Sequence, residues 1–167
     1  MTFENPPPNP GATRFQIRVL NRQRRYRVFD EAVAALCEGV LAALNERACA
    51  LDVVFVGGER MRALNRDYRG RDYATDVLSF QSGGEIVDGF PWLGEIVVAP
   101  RVAEEHARRW KVSPDAEIRR LVLHGILHIL GHDHESDGGE MFRLQARLAR
   151  RSFFRRAAPA AVLMERR

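Results

Sequence analysis

The stretch that decides the fold of this chain is residues 113–134, which read Ser-Pro-Asp-Ala-Glu-Ile-Arg-Arg-Leu-Val-Leu-His-Gly-Ile-Leu-His-Ile-Leu-Gly-His-Asp-His. Ser113 followed by Pro114 is typical of a helix start, because the hydroxyl can cap the first turn and proline is tolerated at the first helical position. The residues that follow are apolar nearly all round, so we expect a buried helix. Gly131 can adopt the left-handed backbone conformation that ends a helix, so the helix should stop there.

Four of the five histidines of the chain lie at positions 124, 128, 132 and 134, at the end of this helix. Residues i and i+4 project from one face of a helix, so His124 and His128 can place two imidazoles around one metal ion. The turn at Gly131 can bring a third imidazole, from His132 or His134, to the same point. Three neutral imidazoles with one open position form a catalytic zinc site, although imidazole also suits nickel, copper and iron. The alternative is a pair of core histidines bonded to backbone carbonyls.

The spacing of these residues can be compared with H-E-x-x-H-x-x-G-x-x-H, the zinc-binding pattern of metzincin peptidases. His124, His128, Gly131 and His134 stand at its metal and turn positions. Its glutamate, the general base of peptide hydrolysis, is replaced by Gly125. Bound zinc lowers the pKa of water to about 7 without that glutamate, so the chain can still be a hydrolase. Cleavage of peptide bonds is the less favoured reaction, because the general base is missing.

Composition and charge leave the class of partner open. The chain has 167 residues, of which 46% are hydrophobic and 29% charged, and this suits one compact domain and excludes a disordered or fibrous protein. Its 26 basic and 22 acidic residues give a formal net charge of +4, and every basic residue except Lys111 is arginine. Arginine can donate two hydrogen bonds to one phosphate, which makes a nucleic acid a candidate partner. The alternative is that the net charge of +4 reflects only the solvated surface charges of an ordinary soluble domain.

The cysteines and the ends of the chain bear on compartment and domain organisation. Cys37 and Cys49 are too few for a disulfide framework and favour a reducing compartment, so we expect a cytoplasmic protein. No apolar run approaches the roughly 18 residues of a membrane span and no signal-peptide pattern is visible, so we expect no membrane partner. Four prolines in residues 1–13 predict a flexible N-terminal tail, and residues 157–167 are expected to form a flexible C-terminal tail. Residues 14–156 should then form a single metal-hydrolase-like domain.

Apolar periodicity outside the histidine helix predicts four strands and four further helices. The strands are expected at residues 15–20, 51–56, 77–80 and 93–99. The helices are expected at residues 31–46, between Gly58 and Gly70, from Pro100 to Trp110, and from about Asp137 to Phe154. This order predicts an α+β fold in which a small, mixed, four-stranded sheet packs with about five helices and the histidine motif ends a buried helix.

Three blocks of the chain resemble the YbeY family of metal-dependent endoribonucleases, which is associated with maturation of small-subunit ribosomal RNA. Residues 124–134 carry the family signature H-G-x-L-H-x-x-G-x-D-H in full. Residues 64–80, Leu-Asn-Arg-Asp-Tyr-Arg-Gly-Arg-Asp-Tyr-Ala-Thr-Asp-Val-Leu-Ser-Phe, and residues 93–98, Leu-Gly-Glu-Ile-Val-Val, are similar to two other family segments. The order and spacing of the three blocks make the resemblance specific over residues 51–135.

This resemblance implies one zinc ion held by His124, His128 and His134, and a catalytic role for Arg69. A guanidinium beside the metal would stabilise the extra negative charge on a phosphate in the transition state. The resemblance also implies a single-strand-specific endoribonuclease that matures the 3′ end of small-subunit ribosomal RNA and acts in ribosome quality control. Ribosomal RNA and the small ribosomal subunit would then be its partners. The alternatives are a zinc metallopeptidase-like hydrolase and a non-enzymatic ribosome-binding zinc protein.

The chain departs from the family pattern at three positions. His132 stands where a tyrosine is common, and Ala74 and Gln81 stand where prolines are common. His132 therefore competes with His134 for the third ligand position, or serves as a proton shuttle. Asp133 is expected either to orient a ligand imidazole or to cap the turn that follows the helix.

Overall fold

The computed structural model describes residues 14–156 and 163–165 of the chain. The expected N-terminal tail, residues 1–13, lies outside the described residues. The expected C-terminal tail, residues 157–167, also lies outside them, except for the short strand Leu163–Glu165. None of the helices in the described part of the chain is long and apolar enough to cross a lipid bilayer.

The described residues form seven strands and six helices. The strands are β1 (Phe15–Asn21), β2 (Tyr26–Val28), β3 (Cys49–Phe55), β4 (Val77–Gln81), β5 (Ile86–Val87), β6 (Phe90–Val98) and β7 (Leu163–Glu165). The helices are α1 (Asp30–Ala43), α2 (Gly58–Arg69), α3 (Pro100–Trp110), α4 (Pro114–Ile129), α5 (Glu140–Ala149) and α6 (Ser152–Arg156). The four predicted strands are β1, β3, β4 and β6, and the predicted helices correspond to α1 through α5.

One mixed sheet organises the fold, with strands in the order β1-β3-β6-β4. Strands β1, β3 and β6 run parallel, whereas β4 and the two-residue β5 both pair with β6 in the antiparallel direction. Strands β2 and β7 form a separate antiparallel pair. The predicted α+β fold with a small mixed sheet is confirmed, and the two-residue β5, which pairs with the start of β6, adds a fifth strand to the four predicted.

Helices cover both faces of the sheet. On one face, α1 and α4 pack over a core that includes the fully buried Leu36, Leu51, Ile96 and Ile126. The other face carries a smaller apolar cluster around Met61 of α2. Helix α4 contacts α1, α3 and α5 as well as strands β4 and β6. It is therefore the central buried helix, as its composition predicts.

The last predicted helix, from Asp137 to Phe154, is in fact two shorter helices, α5 and α6. Its start is delayed because Gly138 and Gly139 have φ angles of +62° and +90°, which are not helical. The carboxylate of Asp137 instead accepts a hydrogen bond from the backbone N–H of Met141 at 2.6 Å, at the start of α5. Apolar spacing continues across the break between the two helices, which is why periodicity predicted one helix.

The two cysteines are buried and free. Burial raises the pKa of the Cys49 thiol to about 11, and it raises that of Cys37 well above the usual range. Both are therefore protonated at neutral pH and pack as small apolar side chains.

Candidate metal centre

Three histidines from the end of α4 and the loop behind it converge on one point. His124 and His128 lie one turn apart on α4, and their Nε2 atoms are 3.1 Å apart. The ring centroid of His134 lies 5.3 Å from that of His124 and 5.1 Å from that of His128. One nitrogen from each ring lies within 4.8 Å of the other two. A single ion can bridge these nitrogens, because zinc–imidazole bonds are about 2 Å long.

The loop after α4 determines which histidine completes the group. Gly131 has a φ angle of +90°, as its predicted role at the helix end requires, and the N–H of His132 donates to the carbonyl of Leu127 across the last turn. The chain then turns so that His134 joins His124 and His128. His132 lines the same cavity without belonging to the group.

Asp133 holds this loop in shape. Its Oδ1 accepts the N–H of Glu135 at 3.0 Å, and its Oδ2 accepts the hydroxyl of Ser136 at 2.9 Å. The pKa of Asp133 is lowered, first by the hydrogen bond from Glu135 and then by that from Ser136. Of the two roles expected for Asp133, these contacts support the turn cap. Its charge raises the pKa of His128, and the charges of His128 and His134 in turn lower the pKa of Asp133.

Gln145 of α5 orients His124, and sequence reasoning did not single it out. It is only 7% exposed, and its Oε1 lies 2.9 Å from Nδ1 of His124. As an acceptor, the amide oxygen holds the proton on Nδ1 and leaves the lone pair of Nε2 free for a metal. The sequence indicates only that Gln145 lies on the buried face of α5, and this position does not predict its contact with His124.

Both α4 histidines are held in the neutral form. The pKa of His124 is lowered, chiefly by burial, while the hydrogen bond with Gln145 opposes the shift. The pKa of His128 is also lowered, chiefly by burial and then by the charge of His134. Neutral imidazole is the form that binds a metal, so His124 and His128 are in the form that can act as ligands at neutral pH.

The histidines open into a cavity of about 460 Å³. Its walls come from α2, β4, α4 and adjoining loops, and the lining residues are Arg69, Asp76, Val77, Ser79, Gln81, His124, His128, Gly131, His132, Asp133 and His134. Three ligands beside an open cavity leave room for an exchangeable fourth ligand, as catalytic sites require. A larger cavity of about 710 Å³ lies beside β1, but its Arg18 and Asp52 are already joined by a hydrogen bond of 2.9 Å.

Arg69 lines the same cavity as the histidines, at the last position of α2. Gly70 ends the helix with a φ angle of +68°, and Arg69 is left exposed. Its guanidinium makes no hydrogen bond or ion pair with another residue in the described part of the chain, whereas Arg62 in the same helix is paired with Asp72 at 2.7 Å. The charge of Arg69 lowers the pKa of His128. The fold therefore places a free cation beside the histidine group.

Gly125 occupies the position where the metzincin pattern has its catalytic glutamate. A Cβ atom there would lie 2.7 Å from Cγ2 of Ile96 and 3.1 Å from Oγ of Ser79. The hydroxyl of Ser79 also donates to the carbonyl of Gly125 at 3.3 Å. Helix α4 therefore packs too closely against β4 and β6 for a side chain at this position, and the peptidase base has no room.

Gln81 stands where the family commonly has proline, and its side-chain amide binds the end of α4. Its Nε2 donates to the carbonyls of His128 at 3.1 Å and Ile129 at 2.9 Å. The last carbonyls of a helix have no partners within the helix, so this amide satisfies two of them. Strand β4 thereby holds the end of α4 that carries His124 and His128.

A second group of ligand-type side chains, Asp76, His106 and Glu117, was not recognised from the sequence. Oδ2 of Asp76 lies 3.0 Å from Nδ1 of His106, and its Oδ1 accepts the N–H of Val77 at 2.8 Å. Both carboxylate oxygens of Glu117 accept hydrogen bonds from Arg120, at 2.6 and 2.8 Å. Protein donors already pair with these carboxylates, and the group brings together α3, α4 and the residue that precedes β4.

Comparison with known proteins identifies the family. Residues 18–152 match the family model described as endoribonuclease YbeY. This chain belongs to the endoribonuclease YbeY family. The YbeY of Anaeromyxobacter sp. is 38% identical over 136 residues, which cover 80% of this chain and 70% of that protein. The YbeY of Aquifex aeolicus is 38% identical over 123 residues, which cover 74% of this chain and 81% of that protein.

A solved structure shares this fold. The solution structure of a protein from Thermotoga maritima is 31% identical and superimposes with a TM-score of 0.55. The match covers 80% of this chain and 86% of that chain. The predicted membership in the YbeY family is therefore confirmed, and the matched residues 18–152 contain Arg69 and the three histidines.

Proposed function

We propose that this protein is a metal-dependent endoribonuclease that cleaves single-stranded RNA during maturation of ribosomal RNA. Endoribonuclease activity follows from its membership in the YbeY family. The observation that carries the proposal is the meeting of His124, His128 and His134 with Arg69 in one open cavity. A phosphodiester placed there would lie between a metal-binding group and a forked positive donor, as phosphoryl chemistry requires.

We assign one zinc ion to the three histidines, because three neutral imidazoles and an open position suit zinc. When bound, zinc supplies a Lewis acid for a phosphate oxygen and lowers the pKa of water. Gln145 keeps the proton of His124 on Nδ1, so that Nε2 remains available as a ligand. The turn capped by Asp133 keeps His134 in position.

Arg69 is assigned the role of stabilising the transition state. Its guanidinium presents parallel N–H donors that match two oxygens of a phosphate. Negative charge grows on these oxygens as the phosphodiester bond breaks, so the interaction strengthens in the transition state. The exposed position of Arg69 at the end of α2, beside Gly70, leaves the guanidinium free to do this.

The substrate that we propose is ribosomal RNA, cleaved near the 3′ end of the small-subunit RNA, with the small ribosomal subunit as partner and a further role in ribosome quality control. The resemblance of the three sequence blocks to the family supports this choice. Residues 72–140 carry 6 basic and 13 acidic residues, whereas residues 1–71 carry 12 and 8 and residues 141–167 carry 8 and 1. The two arginine-rich flanking segments are suited to an RNA backbone. We place the protein in the cytoplasm, which the free cysteines Cys37 and Cys49 support. Residues 14–156 are proposed as the catalytic domain.

The two alternatives have less support. A metallopeptidase needs a general base, and Gly125 leaves no room for one. A structural zinc protein needs four protein ligands, whereas the histidine group within the described residues has three members beside an open cavity.

The proposal is tested by incubating the purified full chain with labelled single-stranded RNA and with unfolded casein, each with and without a chelator. We expect the RNA to be cleaved, the chelator to stop cleavage, zinc to restore it, and casein to stay intact. Casein cleavage beside intact RNA would reject the proposal in favour of a peptidase.

Two histidine variants provide a matched pair for the ligand assignment. His134→Ala should lose zinc and RNA cleavage together, whereas His132→Ala should retain its zinc. Zinc retained by His134→Ala and lost by His132→Ala would show that the third ligand is misassigned.

A further inference from the structure

Phe142, in the first turn of α5, is an exposed aromatic ring beside the metal centre. Its ring centroid lies 5.0 Å from that of His134, with 30° between the planes, and 6.4 Å from that of His124, with 28° between the planes. Phe142 is 51% exposed, whereas Met141 and Leu148 of the same helix are buried. One aromatic surface therefore extends from the metal ligands to solvent.

Two hydrogen bonds, one on each side of Phe142 in the sequence, fix the position of this ring relative to the metal centre. Asp137 accepts the backbone N–H of Met141 at 2.6 Å, where α5 begins. Gln145, three residues after Phe142, contacts Nδ1 of His124 at 2.9 Å. Because both anchors act on the same turn of α5, Phe142 is held at a defined place next to the cavity.

Single-stranded RNA offers a chemical partner for such a surface. Its unpaired bases stack on aromatic side chains, whereas bases inside a duplex are already stacked on their neighbours. We propose that Phe142 is a stacking platform for a base next to the phosphate that is cleaved. This inference rests on the proposed endoribonuclease function and assigns to Phe142 the preference for single strands.

Charge next to Phe142 supports a nucleic acid as the occupant. A second groove, of about 470 Å³, runs along α5 and shares His132 with the metal cavity. Arg143 and Arg147 line this groove one helical turn apart and outnumber the single carboxylate in its lining, that of Glu140. A strand whose base stacks on Phe142 would find two cations for its phosphates in the adjoining groove.

Stacking is tested with an oligoribonucleotide whose cleaved bond has been mapped, and with the same strand carrying an abasic nucleotide next to that bond. On the intact strand, Phe142→Ala should raise KM about tenfold, the order expected for one lost stacking contact, with unchanged zinc content. Phe142→Tyr should restore the wild-type KM. On the abasic strand, wild type and Phe142→Ala should have the same KM.

The control variant is Trp110→Ala, which removes an aromatic residue that is 70% exposed at the end of α3 and does not line the metal cavity. It should leave KM unchanged on both strands. An equal loss for Phe142→Ala on the intact and abasic strands, or a loss of zinc, would overturn the proposal and assign the ring to shielding the metal.

A binding measurement separates this proposal from RNA cleavage itself. Phe142→Trp combined with Trp110→Phe places an indole beside the metal centre, and Trp110→Phe alone gives the background fluorescence of Trp92, the other tryptophan of the chain. Single-stranded RNA added to the chelator-treated double variant should quench its fluorescence more than that of Trp110→Phe. Duplex RNA of the same length should quench it far less. Absence of quenching by the single strand overturns the stacking proposal, whereas quenching without RNA cleavage by wild type rejects only the proposed function.

Discussion

Gln145 accepts a hydrogen bond from Nδ1 of His124 at 2.9 Å, and this contact joins α5 to the helix that carries two of the three clustered histidines. The amide is buried and neutral, so it orients the imidazole without adding a charge that would change its basicity strongly. The geometry of the metal centre therefore depends on a residue of another helix.

Replacing Gln145 with leucine should weaken zinc binding about 10- to 100-fold, because His124 loses the acceptor that selects its tautomer. Gln145→Glu retains an acceptor oxygen at this position and should bind zinc at least as tightly as wild type. Competition with a chromophoric chelator measures both affinities. Wild-type affinity in the leucine variant would show that Gln145 does not orient the ligand.

Gly125→Ala should reduce the free energy of unfolding by about 1–3 kcal/mol, because the added methyl group collides with Ile96 and Ser79. Gly58→Ala is the matched control, since a Cβ atom at Gly58 has no neighbour within 4 Å. Urea unfolding of the metal-free proteins provides the comparison. Equal stability of the two variants would contradict the tight packing of α4 on β6.

Arg69→Ala should lower kcat/KM for RNA at least about tenfold, the order expected when a charge-stabilising contact is lost. Zinc content and thermal stability should stay the same, because the exposed guanidinium has no partner among the described residues. Arg69→Lys should recover only part of the activity, since an ammonium cannot fork onto two oxygens. Arg71→Ala, an exposed arginine outside the cavity lining, is the control. Undiminished cleavage by Arg69→Ala would remove this residue from the active site.

The metal-free protein should lose stability as the pH falls below neutrality. Burial lowers the pKa of His124 and His128 in the folded state from the ordinary value of 6.5, so the unfolded chain binds more protons in this range. The free energy of unfolding should therefore be highest above pH 6.5 and fall as the pH drops through 6.5 toward the lower folded-state pKa values. Urea titrations in chelator between pH 7.5 and about 5 measure this, and His124→Gln should flatten the dependence. A wild-type curve that stays level would show that these histidines are not held neutral.

Much of the fold follows from patterns within single segments. Alternation in β1 and apolar runs in β3, β4 and β6 predict the four main strands, and Ser113 with Pro114 predicts the start of α4, where the Ser113 hydroxyl accepts the N–H of Ala116 at 3.1 Å. The pairing of β1, β3, β6 and β4 across the sheet joins segments that are distant in sequence, whereas β5 pairs locally with the start of β6. Periodicity within a segment carries no information about these partners.

The amino-acid sequence by itself determines that His124 and His128 share one face, because positions i and i+4 of a helix are neighbours whatever surrounds them. It also determines that the helix ends at Gly131, whose φ of +90° suits glycine. The spacing alone leaves His132 and His134 both open, and it is the tertiary structure that groups His134 with His124 and His128 and brings Arg69 and Gln145 beside them. Helical geometry fixes the distances between residues that lie within a few turns of one another. The distances between residues far apart in sequence are fixed by the packing of α2, α4 and α5 around the sheet.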